Sequence, residues 1–203
     1  MAMESLNSEI EMRSRNLPHW TRDGAVYWVT FRLADSLPQE KVAQLKAERE
    51  EWALQNPEPW TAEQQRDSAT RFTKRVQTWL DAGYGSCVLG RSIIRKHVCN
   101  CLLRFDGTRL RLHAAVIMPN HVHALVEPLG ESELSDLLKG IKGASARLVN
   151  QALGRSGVFW MDESYDRIVR NSKEYAYFLR YIRENPVKAQ LAEAEYWLYF
   201  MKS

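Results

Sequence analysis

Two imidazoles one residue apart are the strongest chemical feature of the sequence: His121-Val122-His123. On a strand, residues i and i+2 point to the same face. Both rings therefore project together while Val122 faces the opposite layer. Two neutral imidazoles side by side can bind one divalent metal ion. The plainer alternative is a pair of polar residues on a solvated sheet face. A second feature is Tyr181 with Asn185, in the run YIRENP. Four residues apart on a helix, they share a face. An amide oxygen is a hard third ligand suited to Mg2+ or Mn2+, and a phenol one turn away could attack a phosphodiester polarised by that ion. Tyr165, Tyr175 and Tyr177 lie nearby, but Tyr181 alone has a potential ligand one turn later, just before a proline. The plainer alternative here is a tyrosine packed in the core and an asparagine that ends a helix.

These residues need elements to hold them. Ala25 to Leu33 is rich in β-branched and aromatic residues and reads as a strand. Leu110 to Met118 and His121 to Glu127 read as two more, joined at Met118-Pro119-Asn120 into a hairpin. From Gln39 to about Trp79 the chain is charged and helix-prone, broken at Pro57 and Pro59. Tyr84-Gly85-Ser86 marks a turn, and Arg91 to Phe105 has apolar residues near helical spacing. Ser132 to Leu153 predicts an amphipathic helix with Ser132 as N-cap and Gly154 as its stop. Phe159 to Arg170 reads as irregular or extended, and Ser172 to about Asn185 as a final helix stopped by Pro186. Tyr196 to Met201 reads as a short closing strand, and Met1 to Asn16 as a polar tail or short helix. This mixed order predicts one antiparallel-rich α+β domain over residues 1–203, with a helical insertion at about 39–79 after the first strand.

Composition narrows the classes. Hydrophobic residues make up 45% of the 203, which is globular rather than disordered. The net charge of +3 does not by itself imply a nucleic-acid partner. Its distribution says more: from Lys139 to Gln190 there are ten basic residues against five acidic. Such a stretch can neutralise phosphates or simply form a solvated surface. Cys87, Cys99 and Cys101 are odd in number and read as buried structural thiols rather than a disulfide framework or a metal site. No apolar run reaches membrane-spanning length and no signal-peptide pattern opens the chain, so a cytoplasmic protein is expected.

The segment Leu110 to Glu127, with MPNHVH as its signature, resembles the single-tyrosine HUH transposases, where HUH means His-hydrophobe-His. Within that class, RNLPHW at Arg15 to Trp20, VTFRL at Val29 to Leu33, FW at Phe159 and Trp160, YDRIVR at Tyr165 to Arg170 and YIRENPVKAQL at Tyr181 to Leu191 are similar to the REP-associated tyrosine transposase branch. The resemblance spans about Asn16 to Leu191 and is weakest over Gln39 to Trp79. It implies a ferredoxin-like antiparallel sheet with helices packed on one face. It also implies two histidines on a central strand and the catalytic tyrosine on a helix near them. Where related transposases often carry glutamine one turn after the tyrosine, this sequence has Asn185, shorter by a methylene.

The resemblance further implies cleavage and rejoining of single-stranded or hairpin DNA, with repetitive extragenic palindromes as substrate. Tyr181 would be the nucleophile and His121, His123 and Asn185 the holders of Mg2+ or Mn2+, in a monomer or homodimer of the bacterial cytoplasm that associates with the nucleoid when bound to DNA. Candidate DNA contacts are His19 and Trp20 for a hairpin, and Lys139, Lys142, Arg147, Arg167, Arg170 and Lys188 for phosphates. His113, on the neighbouring strand, reads as a structural histidine. Two other functions fit the same residues: a domesticated protein that recognises repeat hairpins without cutting, and a metal-dependent hydrolase in which Tyr181 is only structural.

Overall fold

The computed structural model describes residues 24–202 in full and residues 11–14 and 18–21 by their backbone alone. In chain order the elements are β1 (Glu11–Ser14), β2 (Pro18–Thr21), β3 (Tyr27–Arg32), α1 (Gln39–Gln55), α2 (Ala62–Asp81), α3 (Ser92–Leu103), β4 (Leu110–Ile117), β5 (His121–Pro128), α4 (Leu134–Ala152), β6 (Tyr165–Ile168), α5 (Ser172–Lys188) and β7 (Trp197–Phe200). Five strands form one antiparallel sheet in the order β6-β3-β5-β4-β7. The run β3, α3, β4, β5, α4, β6 is the βαββαβ order of a ferredoxin-like domain, and β7 extends the sheet beyond β4.

Strand alternation divides the core into two layers. Val29 and Phe31 of β3, Ala115 and Ile117 of β4 and Val122, Ala124 and Val126 of β5 face α3 and α4, forming the larger core with Ile94, Val98, Leu102, Leu137 and Ile141. The intervening residues Trp28, Ala114, Val116 and Leu125 face the other way and pack on Phe178 and Ile182 of α5. So α3 and α4 are the helical layer on one face, and α5 is a separate helix across the sheet from them. The alternation of β5 requires this. Val122 and Ala124 belong to the first layer, so His121 and His123 open onto the second, and a helix that reaches them must lie there.

Helix ends differ in part from the sequence expectation. Gly154, in a left-handed conformation (φ 61°), stops α4 as expected: the Arg155 N–H donates to Asn150 O and the Gly154 N–H to Gln151 O. Ser132 is not the N-cap; its N–H donates to Leu129 O in a turn, and α4 begins one residue later than that cap would give, at the buried Leu134. Pro186 does not stop α5, which runs on to Lys188. The stop is Gln190 (φ 55°), with the Leu191 N–H donating to Pro186 O and the Gln190 N–H to Val187 O, the same closing pair of bonds as at Gly154. Within the stretch expected to be a tail or short helix, Glu11–Ser14 is a strand paired with Pro18–Thr21; the rest of it lies outside the described residues. Among the described residues, no helix is long and apolar enough to cross a membrane.

The charged segment after β3 forms α1 and α2. A capping box at Thr61 and Gln64 opens α2, and Trp79 and Leu80 anchor its C-terminal end on Leu37. The turn that follows is held against the domain at Asp35: the Ser86 N–H donates to its carboxylate, and a Cβ on Gly85 (φ 89°) would meet the Asp35 carbonyl oxygen. The last turn of α2 thereby comes to rest beside the histidines of β5.

Candidate active site

The turn before β5 sets the chemistry of the first histidine. Asn120 is buried and donates its amide N–H groups to Leu80 O at 3.1 Å and Tyr84 O at 3.0 Å. Those two carbonyls fix the amide orientation and leave Asn120 Oδ1 as an acceptor, 2.7 Å from His121 Nδ1. His121 therefore carries its proton on Nδ1 and a lone pair on Nε2. His123 reaches the same state by another route. The Gln77 amide donates to Asp81 Oδ1 at 3.2 Å and to His123 Nε2 at 2.9 Å, so His123 donates from Nδ1 to Thr30 Oγ1 at 2.8 Å. Thr30 stands directly opposite His123 on β3. Both rings are fully buried. Burial drives the pKa of His121 down to about 3 and that of His123 well below its ordinary value, where the neighbouring His121 adds to the effect. Both are neutral imidazoles, the form that ligates metal.

Tyr181 meets His123 from α5, one turn before the buried Asn185. Trp28 is the packing centre of this encounter: it stacks on His123 (ring centroids 4.8 Å) and on Phe178 (4.4 Å), and meets Tyr181 edge-on at 5.4 Å. Tyr181 also lies edge-on to His123 at 5.4 Å. Asp81, at the C-terminal end of α2, points at the same place, its Oδ1 3.8 Å from His121 Nε2. With His121 neutral this is no ion pair but a carboxylate facing a nitrogen lone pair. Burial raises the Asp81 pKa, and Gln77, Asn185 and Lys188 draw it back down. The Tyr181 pKa is raised strongly, first by burial and then by the charge of Asp81. The phenol is thus protonated as it stands.

Three buried polar atoms have no hydrogen-bond partner among the described residues: His121 Nε2, Tyr181 Oη and Asn185 Oδ1. Buried polar atoms are rarely left so, and here they come from the residues whose types and spacing stood out in the sequence. Two imidazole nitrogens and an amide oxygen are a donor set that fits a divalent ion. The ligands are not yet closed on one point, since the Gln77 amide holds His123 Nε2, and no group of three His, Cys, Asp or Glu side chains among the described residues is arranged to hold a metal.

The basic residues fall in several places. Lys188 is exposed over the Tyr181 ring at 5.8 Å and pairs with Glu184. A groove of about 410 Å³ beside the phenol is lined by Tyr177, Arg180, Tyr181, Glu184 and Lys188. Arg180 was not singled out from the sequence, where nothing separates it from its neighbours; its helical position next to Tyr181 and Tyr177 does. Arg167 is on the histidine face, bonded to Glu174 at 2.6 Å and lying over Phe178, while Arg170 is exposed just beyond β6. Lys139, Lys142 and Arg147 belong to α4, across the sheet from the histidines. Lys142 is spoken for, donating to Asp162 O at 2.6 Å and Ser164 Oγ at 3.1 Å. The side chains of His19 and Trp20, on β2, lie outside the described residues. His113 is structural: it bridges the Tyr175 hydroxyl and the Glu127 carboxylate.

Residues 91–185 match the family model described as IS200-like transposase. That span contains His121, His123, Tyr181 and Asn185, and excludes β3, α1 and α2. Among solved structures, the chain is similar to a REP-associated tyrosine transposase bound to a REP hairpin, at 16% identity and a TM-score of 0.49, covering 89% of this chain and 77% of that one. It is also similar to a transposase candidate from Deinococcus radiodurans R1, at 16% identity and a TM-score of 0.34, covering 85% of this chain and 96% of that one. No curated protein matches the chain.

Proposed function

We propose, for a chain whose residues 91–185 match the IS200-like transposase family model, that it cleaves and rejoins single-stranded or hairpin DNA through a covalent bond to Tyr181. The observation that carries this reading is the group of three partnerless buried atoms, His121 Nε2, Tyr181 Oη and Asn185 Oδ1. A phenol packed edge-on to His123 and a turn from Asn185 supports this reading. His121, His123 and Asn185 would hold a divalent ion, Mg2+ or Mn2+. When bound, such an ion offsets charge on the phosphoryl oxygens and favours the phenolate.

The chain's own residues do the rest. Trp28 and Phe178 fix the plane of His123 and the position of α5, so that Tyr181 meets the scissile phosphate in one orientation. The Tyr181 oxygen forms a bond to phosphorus as the bond from phosphorus to the 3′-oxygen breaks. The phenolic proton leaves to solvent and the departing 3′-oxygen takes one up. The product is a 5′-phosphotyrosine and a free 3′-hydroxyl. The phosphodiester energy is kept in the covalent link, so a 3′-hydroxyl can reverse the step and rejoin a strand. The groove beside the phenol supplies a path for the strand: Tyr177, half exposed, offers a face for base stacking, and Arg180 and Lys188 offer charge to phosphates. A repeat hairpin is the substrate favoured by the motifs RNLPHW and YIRENPVKAQL.

The test is incubation of the protein with a labelled single-stranded hairpin and Mn2+, followed by denaturing electrophoresis. A denaturation-resistant adduct, absent from Tyr181→Phe and from chelated samples, is expected. A protein that binds the hairpin and yields no adduct would instead be a hairpin-recognising protein that does not cut.

A further inference from the structure

We propose that Asp81, at the end of α2, becomes a carboxylate ligand of the divalent ion that His121 and His123 would bind once the Gln77 amide leaves His123 Nε2, so that three side chains not arranged around a metal as they stand close on one, and a helix outside the family-matched segment completes the site. The proposal rests on the metal reading above and adds a residue to it. Its first ground is the direction of lone pairs. Asn120, locked by the carbonyls of Leu80 and Tyr84, takes the His121 proton on the Nδ1 side. His121 Nε2 is then an acceptor without a donor, fully buried, and the atom facing it at 3.8 Å is Asp81 Oδ1, a second acceptor. At 3.8 Å the two atoms are too far apart to share a hydrogen bond and far enough apart for a cation to lie between the buried nitrogen and the partly exposed carboxylate.

The second ground is that the same carboxylate is tied to every other member of the site. Gln77 donates to Asp81 and to His123 at once, and the amide of Asn185 lies against the Asp81 carboxylate. A cation entering between Asp81 and His121 would take the place of the Gln77 amide at His123 Nε2, and Gln77 would keep its other bond, to Asp81. The third ground is charge. Two imidazoles and an amide are neutral and bring no charge to balance a divalent ion; one carboxylate supplies half of what is needed, from a hard oxygen suited to Mg2+ or Mn2+. α2 is held for this purpose at both ends of its last turn. Trp79 and Leu80 are buried against Leu37, and the Leu80 carbonyl accepts from Asn120, next to the histidines themselves.

The experiment measures metal binding without DNA and without turnover. The full chain, stripped of metal, is titrated with Mn2+ while free Mn2+ is followed by electron paramagnetic resonance. Asp81→Asn keeps the shape of a side chain that is about one-third exposed, and helical content and melting temperature are checked in parallel. Asp81→Asn should weaken Mn2+ binding by about tenfold or more, the scale on which even outer partners of a metal site act. Asp81→Cys should shift preference from Mn2+ toward Cd2+ by at least about tenfold relative to the unsubstituted chain, because a thiolate ligand favours the softer ion; a residue that only positions its neighbours would produce no such switch. Mn2+ affinity unchanged in Asp81→Asn while His121→Ala loses binding would overturn the role of Asp81 and leave the histidine reading intact. The same holds if Asp81→Cys shows no Cd2+ preference. A native chain that binds no Mn2+ at all would sink both.

Discussion

Replacing Asn120 by alanine should destabilise the protein more than any other single polar substitution near the site. The side chain is buried and makes three hydrogen bonds, to Leu80 O, Tyr84 O and His121 Nδ1. Each is worth about 1 kcal/mol net, and a buried group left unpaired costs about 1–3 kcal/mol. The Tyr84 carbonyl is near the surface and can recover a water. The Leu80 carbonyl keeps the Gly83 N–H as a donor, so the His121 N–H, on a fully buried ring, is the group left without a partner. The expected loss is therefore about 3 kcal/mol. Urea unfolding followed by tryptophan fluorescence measures it. With a slope of about 2 kcal/mol per molar for a chain of this size, the midpoint should fall by about 1.5 M. The same variant frees the His121 ring to turn over, so Mn2+ affinity should drop even at temperatures where the variant is fully folded. A midpoint shift below about 0.3 M would refute the claim that Asn120 both pins α2 and sets the histidine tautomer.

Other outcomes follow from the same contacts. Tyr181→Phe removes a buried hydroxyl that has no partner, so stability should hold or rise by about 1 kcal/mol, read from the same urea curves; a marked loss would mean that the hydroxyl is bonded. Metal-free protein should lose stability from pH 7 to pH 5. An unfolded histidine titrates near ~6.5 while folded His121 does so at about 3, with His123 also lowered. The unfolded chain thus binds more protons as pH falls below that of free histidine, at up to about 1.4 kcal/mol per pH unit for each ring. Asp81, whose folded pKa is raised, acts in the opposite sense but is one group against two; urea midpoints that are flat over this range would contradict the neutral, buried histidines. Lys188→Ala should lower the salt dependence of hairpin binding by a slope of roughly 0.7. Lys142→Ala should leave that slope alone and loosen the 162–164 segment it holds, detected as faster amide exchange there; the reverse pattern would place DNA on the α4 side.

The sheet and the histidine hairpin were legible because alternation is a local signal. Val122 between two histidines, inside a run of apolar residues, puts both imidazoles on one face of the strand and Val122 on the other. The last turn of α5 was not legible. Pro186 reads as a stop, yet the helix carries it and ends on Gln190, whose left-handed backbone and paired carbonyl bonds have no marker in the sequence. The second-layer partners were equally hidden. Thr30, Gln77 and Asp81 reach His123 and His121 across 93, 46 and 40 positions of chain or through α2, and pairing over such distances leaves no periodicity to read. Nothing in the sequence separates Trp28 from the other aromatic residues, although it touches His123, Phe178 and Tyr181 together. Lys142 shows the converse error of scale. It belongs to a basic stretch that fits phosphate binding, but its ammonium is already bonded to Asp162 and Ser164.

The central claim is that Tyr181 becomes bonded to DNA, and peptide mapping of the adduct tests it most directly. The protein is incubated with a hairpin and Mn2+, digested with protease and nuclease, and the nucleotide-bearing peptide is sequenced by mass spectrometry. The account predicts a nucleotide on the peptide containing Tyr181 and none in the His121→Ala protein. A nucleotide found instead on Tyr165, Tyr175 or Tyr177 would contradict the placement of α5 as the catalytic helix.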